Sequence, residues 1–138
     1  MQEVAGDSGF MLFFEMDHGA WLKTFGVRRK IVRWVFGNPI IAYTMLRHDV
    51  AAGLFAPIEF VLIENESGHG STLTYDLPSS LMVIDDNPPL LEAAKALDRK
   101  LVELVERVMS AITRELPVCR RPNMRDPWKT PSKLHFAR

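Results

Sequence analysis

Four places in the chain put imidazole, guanidinium, carboxylate or amide groups where the backbone turns, and so where side chains can be aimed at a ligand. They are Asp17-His18-Gly19, Asn38-Pro39, Arg47-His48-Asp49 and the lone Asp76. His18 at a strand end can bind a metal or carry a proton; structurally, Asp17 caps a short helix, His18 bonds to backbone and Gly19 supplies a special dihedral. Asn38-Pro39 fits a helix start, because Asn caps free amides and Pro at the first helical position loses no hydrogen bond. The unpaired amides of such a start can also hold an anionic group, but no Gly-rich phosphate loop precedes this one. Arg47 and His48 fall where a short helix ends. Positive charge there complements the carbonyl end of the dipole, and Asp49 is expected to pair with either residue. As a site, the cluster would put Arg47 on a carboxylate or phosphate, with His48 a proton carrier or metal ligand oriented by Asp49. Asp76 can face a pocket from a strand end or cap the "PSSL" turn that follows it.

Other chemistries find little support. Met45 lies three residues before His48 and both can ligate haem iron, but Met at that spacing suits a core and there is no Cys-x-x-Cys-His attachment. No His-x-x-x-His or related metal spacing links His18 and His48. Ser79 and Ser80 lack a nucleophile elbow, Cys119 has no recognisable His partner, and His69 sits in a Gly-rich turn that points to solvent. The sequence specifies no cofactor.

These groups need a scaffold. "GFMLFFEM" alternates Phe10, Leu12, Phe14 and Met16 against Met11, Phe13 and Glu15. Both faces are largely apolar, so the stretch reads as a strand buried on two sides or covered at a subunit contact. "DHGAWLKTFG" is a turn and short helix stopped at Gly26. "RRKIVRWVFG" alternates again, and Arg33 between apolar neighbours marks one wet face. A short helix from Asn38-Pro39 carries Ile40, Ile41, Tyr43, Met45 and Leu46, and "DVAAGLFAP" breaks it. "IEFVLIEN" and "STLTYDL" form an antiparallel pair around "ESGHG". "DDNPP" then opens a long helix to about Leu116, with Leu90, Ala94, Leu97, Leu101, Leu104, Val105, Val108 and Ile112 on one stripe.

The chain of 138 residues, 47% of them hydrophobic, fits one domain with a real core. Acidic and basic residues balance at 17 each, which gives no specific nucleic-acid signal. From Pro117 onward, Arg120, Arg121, Arg125, Lys129, Lys133 and Arg138 face Asp126 alone. Residues 1–116 therefore read as the domain and 117–138 as a basic, proline-rich tail, irregular or disordered, that can touch an acidic partner, an anionic membrane or nucleic acid. One cysteine excludes an internal disulfide and suits a reducing compartment, and no apolar run approaches a membrane span, so a cytoplasmic protein is expected.

Several stretches together resemble the DUF302 family: "FFEMDHGA", "VFGNP", "APIEFVLIENESGHGSTLTYDLPSSLM" and "NPPLLEAAKALDRKLVELVERV", in that order over about residues 9–108. The resemblance implies an α+β fold of TBP-like type, an antiparallel sheet with a long C-terminal helix on one face, commonly a homodimer. Relative to the family pattern, a strand and helix preceding Phe10 are missing. The family has no settled activity. The leading expectation is a non-catalytic module binding a small-molecule ligand between sheet and helices as a homodimer, with His18, Asn38, Arg47, His48 and Asp76 at the site. The alternatives are a metal- or acid/base-dependent enzyme using the same His and Asp groups, and an interaction module using a strand edge and the basic tail.

Overall fold

The computed structural model describes residues 7–115 and 133–135. Four strands, β1 (Met11–Asp17), β2 (Ile31–Gly37), β3 (Ile58–Glu64) and β4 (Ser71–Thr74), pair in chain order, each antiparallel to the next. Four helices connect and cover them: α1 (His18–Leu22), α2 (Pro39–Leu46), α3 (Pro78–Met82) and α4 (Pro88–Glu115). Short 3-10 segments follow α1 at Lys23–Phe25 and α2 at Val50–Phe55. Antiparallel neighbours joined in sequence need only tight connections, and Gly68 and Gly70, both with positive φ, make the β3–β4 turn around the exposed His69.

Residues directly opposite in an antiparallel ladder share a face. Trp34 lies opposite Phe60 and Phe36 opposite Ile58, and these side chains face the helices with Leu73 and Tyr75. Phe36 and Phe60 meet at 4.5 Å and Phe60 and Tyr75 at 5.4 Å. Helix α4 lays Leu90, Ala94, Leu97, Leu101 and Val105 on this layer, all buried, as a 3.6-residue period requires. The stripe ends sooner than its sequence pattern, for Val108 is exposed. At the start of α4, Asn87 caps the helix by accepting from the Leu90 amide at 3.1 Å.

On the other face Arg33 meets Glu59, with Arg33 Nε donating to Glu59 Oε2 at 2.8 Å and Nη2 to Oε1. This is the wet face that Arg33 implied. Glu59's hydrogen bond and its charge raise the Arg33 pKa, which holds the guanidinium in its charged form.

Within the chain, strand β1 is not buried on two sides. It lies at one end of the strand order, with Leu12, Phe13 and Phe14 exposed at 61%, 50% and 47%. The expected alternation fails because Phe13 is an extra residue: Leu12 pairs with Phe36 and Phe14 with Val35, adjacent on β2. Such a bulge resets the side chains beyond it. Glu15 therefore sits opposite Trp34, whose indole donates to it at 2.6 Å, while Phe14 and Met16 face the side of Val35 and Arg33. The basic tail also holds one piece of regular structure, since Lys133–His135 forms a strand β5 on the outer edge of β4. Three residues are too few to show a period, which is why the sequence reads as irregular there; the remainder of the tail lies outside the described residues.

Candidate functional site

At one end of the sheet, where β1 begins and β2 ends, the helices stand off from the strands and leave an apolar cleft of about 230 Å³. Phe10, Phe13, Gly37, Pro57 and Ile58 contribute from the sheet end, Ile41, Ala42, Met45 and Leu46 from α2, and Met82 and Leu97 from α3 and α4. Among its lining residues only Asn38 has a polar side chain. That amide is already engaged at both ends: Oδ1 accepts from the Ile40 amide at 2.8 Å and Nδ2 donates to the Gly9 carbonyl at 2.8 Å. Asn38 thus starts α2, as its position before Pro39 led one to expect, and ties the segment entering β1 to the rim of the cleft.

Each wall has a local cause. Asn38 turns the chain from β2 into α2, and Pro39 supplies the fixed φ of a first helical residue. Met45 then points inward and is 1% exposed, whereas Ile40 and Tyr43 on the same helix point outward. Gly37 leaves the sheet end low. A Cβ there would lie 3.1 Å from the Phe13 ring and 3.4 Å from Pro57 Cβ. Neither Phe13 nor Gly37 stood out in the sequence. Gly-Asn-Pro signals a strand passing into a helix but not an opening beside it, and the Phe13 bulge is invisible in a strand apolar on both faces.

The other expected site residues do not line the cleft. His18 starts α1 at the opposite end of β1, a strand length of about 20 Å from Phe10. Its Nδ1 accepts from the Trp21 indole at 3.3 Å, and Asp17 caps α1 by accepting from the Ala20 amide at 3.0 Å. Gly19 is there for a close approach: a Cβ on it would fall 2.6 Å from the Arg29 carbonyl oxygen and 3.0 Å from the Ile31 amide. Arg47 closes α2 and donates from Nε to His48 Nε2 at 3.2 Å, both side chains being exposed. Asp49 pairs with neither. It caps the following 3-10 segment, accepting from the Ala51 amide at 2.8 Å, because that segment's first amides need an acceptor.

Asp76 is exposed and does not cap α3. That role falls to Asp98 of α4, which sequence reasoning missed. Its Oδ1 accepts from the Ser79 amide at 3.0 Å and its Oδ2 from the Ser79 hydroxyl at 2.5 Å, in a position only 7% exposed. The signal was present: Asp98 falls four residues after Ala94 and three before Leu101, a carboxylate inside the apolar stripe. Among the described residues no three His, Cys, Asp or Glu side chains gather in a way that could hold a metal ion. No helix among them is long and apolar enough to cross a membrane. Cys119 and the basic residues 120–129 lie outside the described residues.

Comparison with known proteins places this architecture. No curated protein matches the chain. The solved structure of an uncharacterized conserved DUF302 protein from Bacillus stearothermophilus is similar in fold, with a TM-score of 0.67 and 21% identity over 77% of this chain and 83% of that one. The family model described as "Domain of unknown function DUF302" matches residues 1–108. With most of its length matched by that model, the chain belongs to the DUF302 family.

Proposed function

We propose that the protein is a non-catalytic module that binds a small apolar molecule in the cleft beside Gly37 and Asn38, and that it acts as a homodimer. The supporting observation is the cleft's composition: a recess of about 230 Å³ next to the core, walled by hydrophobic side chains from sheet and helices. A concave apolar recess of this kind is the usual form of a small-molecule site, whereas catalysis needs convergent polar groups, and Asn38 is occupied with backbone. His18, Arg47, His48 and Asp76 carry no part of this reading. The test is a methyl NMR titration with toluene, following Met45 and Met82. Saturable shifts that disappear in Ala42→Phe, which fills the recess, are expected; no saturable shift, or one indifferent to that substitution, counts against the site.

The homodimer rests on β1. Its outer edge has no partner strand among the described residues, and Leu12 and Phe14 stand exposed along it. An unpaired apolar edge is a template for association, and a second copy is the partner that always carries the matching edge. Sedimentation equilibrium is expected to find a dimer for the unmodified chain and a monomer for Phe14→Glu, with unchanged circular dichroism. A wild-type monomer at micromolar concentration would rule the dimer out.

A further inference from the structure

We infer that the ligand of the cleft is uncharged and has about ten non-hydrogen atoms, in the class of a medium-length aliphatic alcohol or a compact hydrocarbon; this rests on the binding reading above. Size comes first. A cavity of about 150 Å³ in a protein core holds benzene, and drug-sized ligands occupy roughly 300–1,000 Å³. At about 230 Å³ this recess falls between them, with a volume suited to about eight to ten carbons.

Charge is decided by what the walls lack. A carboxylate or ammonium drawn into the recess would lose its water, and burial of a charge is tolerated only with a hydrogen-bonding partner. The Asn38 amide is committed at both ends. Arg47, His48 and Asp49, which follow α2, are not among the lining residues, so no charged side chain faces into the recess. The hydroxyl of an alcohol can stay at the open side of the cleft in water, whereas an anion held beside these apolar walls surrenders part of a far stronger hydration. Neutral ligands are favoured for that reason alone, without a specific contact to the hydroxyl.

The experiment titrates the wild-type chain with straight-chain alcohols from pentanol to dodecanol and with octanoate, read from the methyl shifts of Met45 and Met82. Affinity should rise about fourfold per added carbon, the increment expected for burying one methylene. It should level off near eight to ten carbons, and octanoate should bind at least about tenfold more weakly than octanol. Octanoate binding as tightly as octanol would overturn the neutral-ligand inference while leaving the cleft a binding site. A gain continuing undiminished to dodecanol would overturn the size limit. If no alcohol produced a saturable shift, both this inference and the binding reading would fall.

Discussion

The two ends of the β1–β2 hairpin are made of the same parts and end up with opposite properties. At one, β1 runs into α1 through Asp17, His18 and Gly19; at the other, β2 runs into α2 through Gly37, Asn38 and Pro39. Both helices begin with a side-chain oxygen accepting from a backbone amide, Asp17 from Ala20 and Asn38 from Ile40. The first end is closed. Gly19 lies against the backbone of Arg29 and Ile31, and Arg29 itself donates from Nε and Nη2 to the Glu64 carbonyl at 2.9 and 2.5 Å. At the second end Gly37 is bordered by the ring of Phe13 and by Pro57, and a cavity remains. A glycine beside a helix cap is thus no guide to a site by itself; what lies across from it, backbone or a movable ring, decides whether space is left.

The largest effect that would test this contrast is expected at the closed end. Gly19→Ala must push the Arg29–Ile31 backbone away, because a Cβ at 2.6 Å from a carbonyl oxygen is well inside contact distance and the backbone cannot rotate clear. A loss of about 3 kcal/mol is expected in urea unfolding, with the β1–β2 pairing disturbed in amide NMR. A loss below about 1 kcal/mol would mean that this end is looser than its contacts indicate, and the distinction between the two ends would fail.

How legible these ends were in sequence follows from the same contrast. Caps, turns and strands could be read because they depend on local chemistry: the caps from Asp17 to Ala20 and from Asn38 to Ile40, and the turns at Gly26 and Gly68, each involve residues within three or four positions. Strand pairing was legible where one face is plainly apolar, as in β3 and β4. The cleft was not, since its walls converge from five separate segments of the chain and contain nothing chemically unusual; of the five residues singled out for the site, Asn38 alone lines it. His18, Arg47 and His48 attracted notice as reactive types, yet their nearest partners are the adjacent Trp21 and each other. Asp98 shows the reverse case. Its partner Ser79 is 19 residues away, so the cap it supplies to α3 cannot be found by looking before the helix.

An intermediate effect should separate the two caps. Asp17→Ala removes one bond to an exposed amide and should cost about 1 kcal/mol. Asn38→Ala removes both the Ile40 contact and the partly buried bond to the Gly9 carbonyl, and about 2 kcal/mol is expected. Because the second bond holds the segment before β1, amide exchange at Phe10 should quicken in Asn38→Ala and stay unchanged in Asp17→Ala. Equal losses with no change at Phe10 would show that Asn38 is a helix cap like Asp17 and does not organise the rim.

The smallest effect on stability, and the most informative about function, is expected for Gly37→Ala. Gly37 is not among the glycines with positive φ, so alanine introduces no backbone strain, and replacing glycine lowers the entropy of the unfolded chain by an equivalent of about 0.4–1 kcal/mol. Against that gain, the new methyl at 3.1 Å from Phe13 must displace a ring that is half exposed and has open space to move into. The two terms nearly offset, and unfolding should shift by no more than about 0.5 kcal/mol. Binding should respond differently, since the new methyl takes up room in the recess, and alcohol affinity should fall several-fold. Affinity falling while stability holds would separate a residue that shapes the cleft from one that merely supports the fold. If stability fell as far as in Gly19→Ala, the Phe13 side of the cleft would be as rigid as the Arg29 backbone, and the openness of this end would owe nothing to the ring.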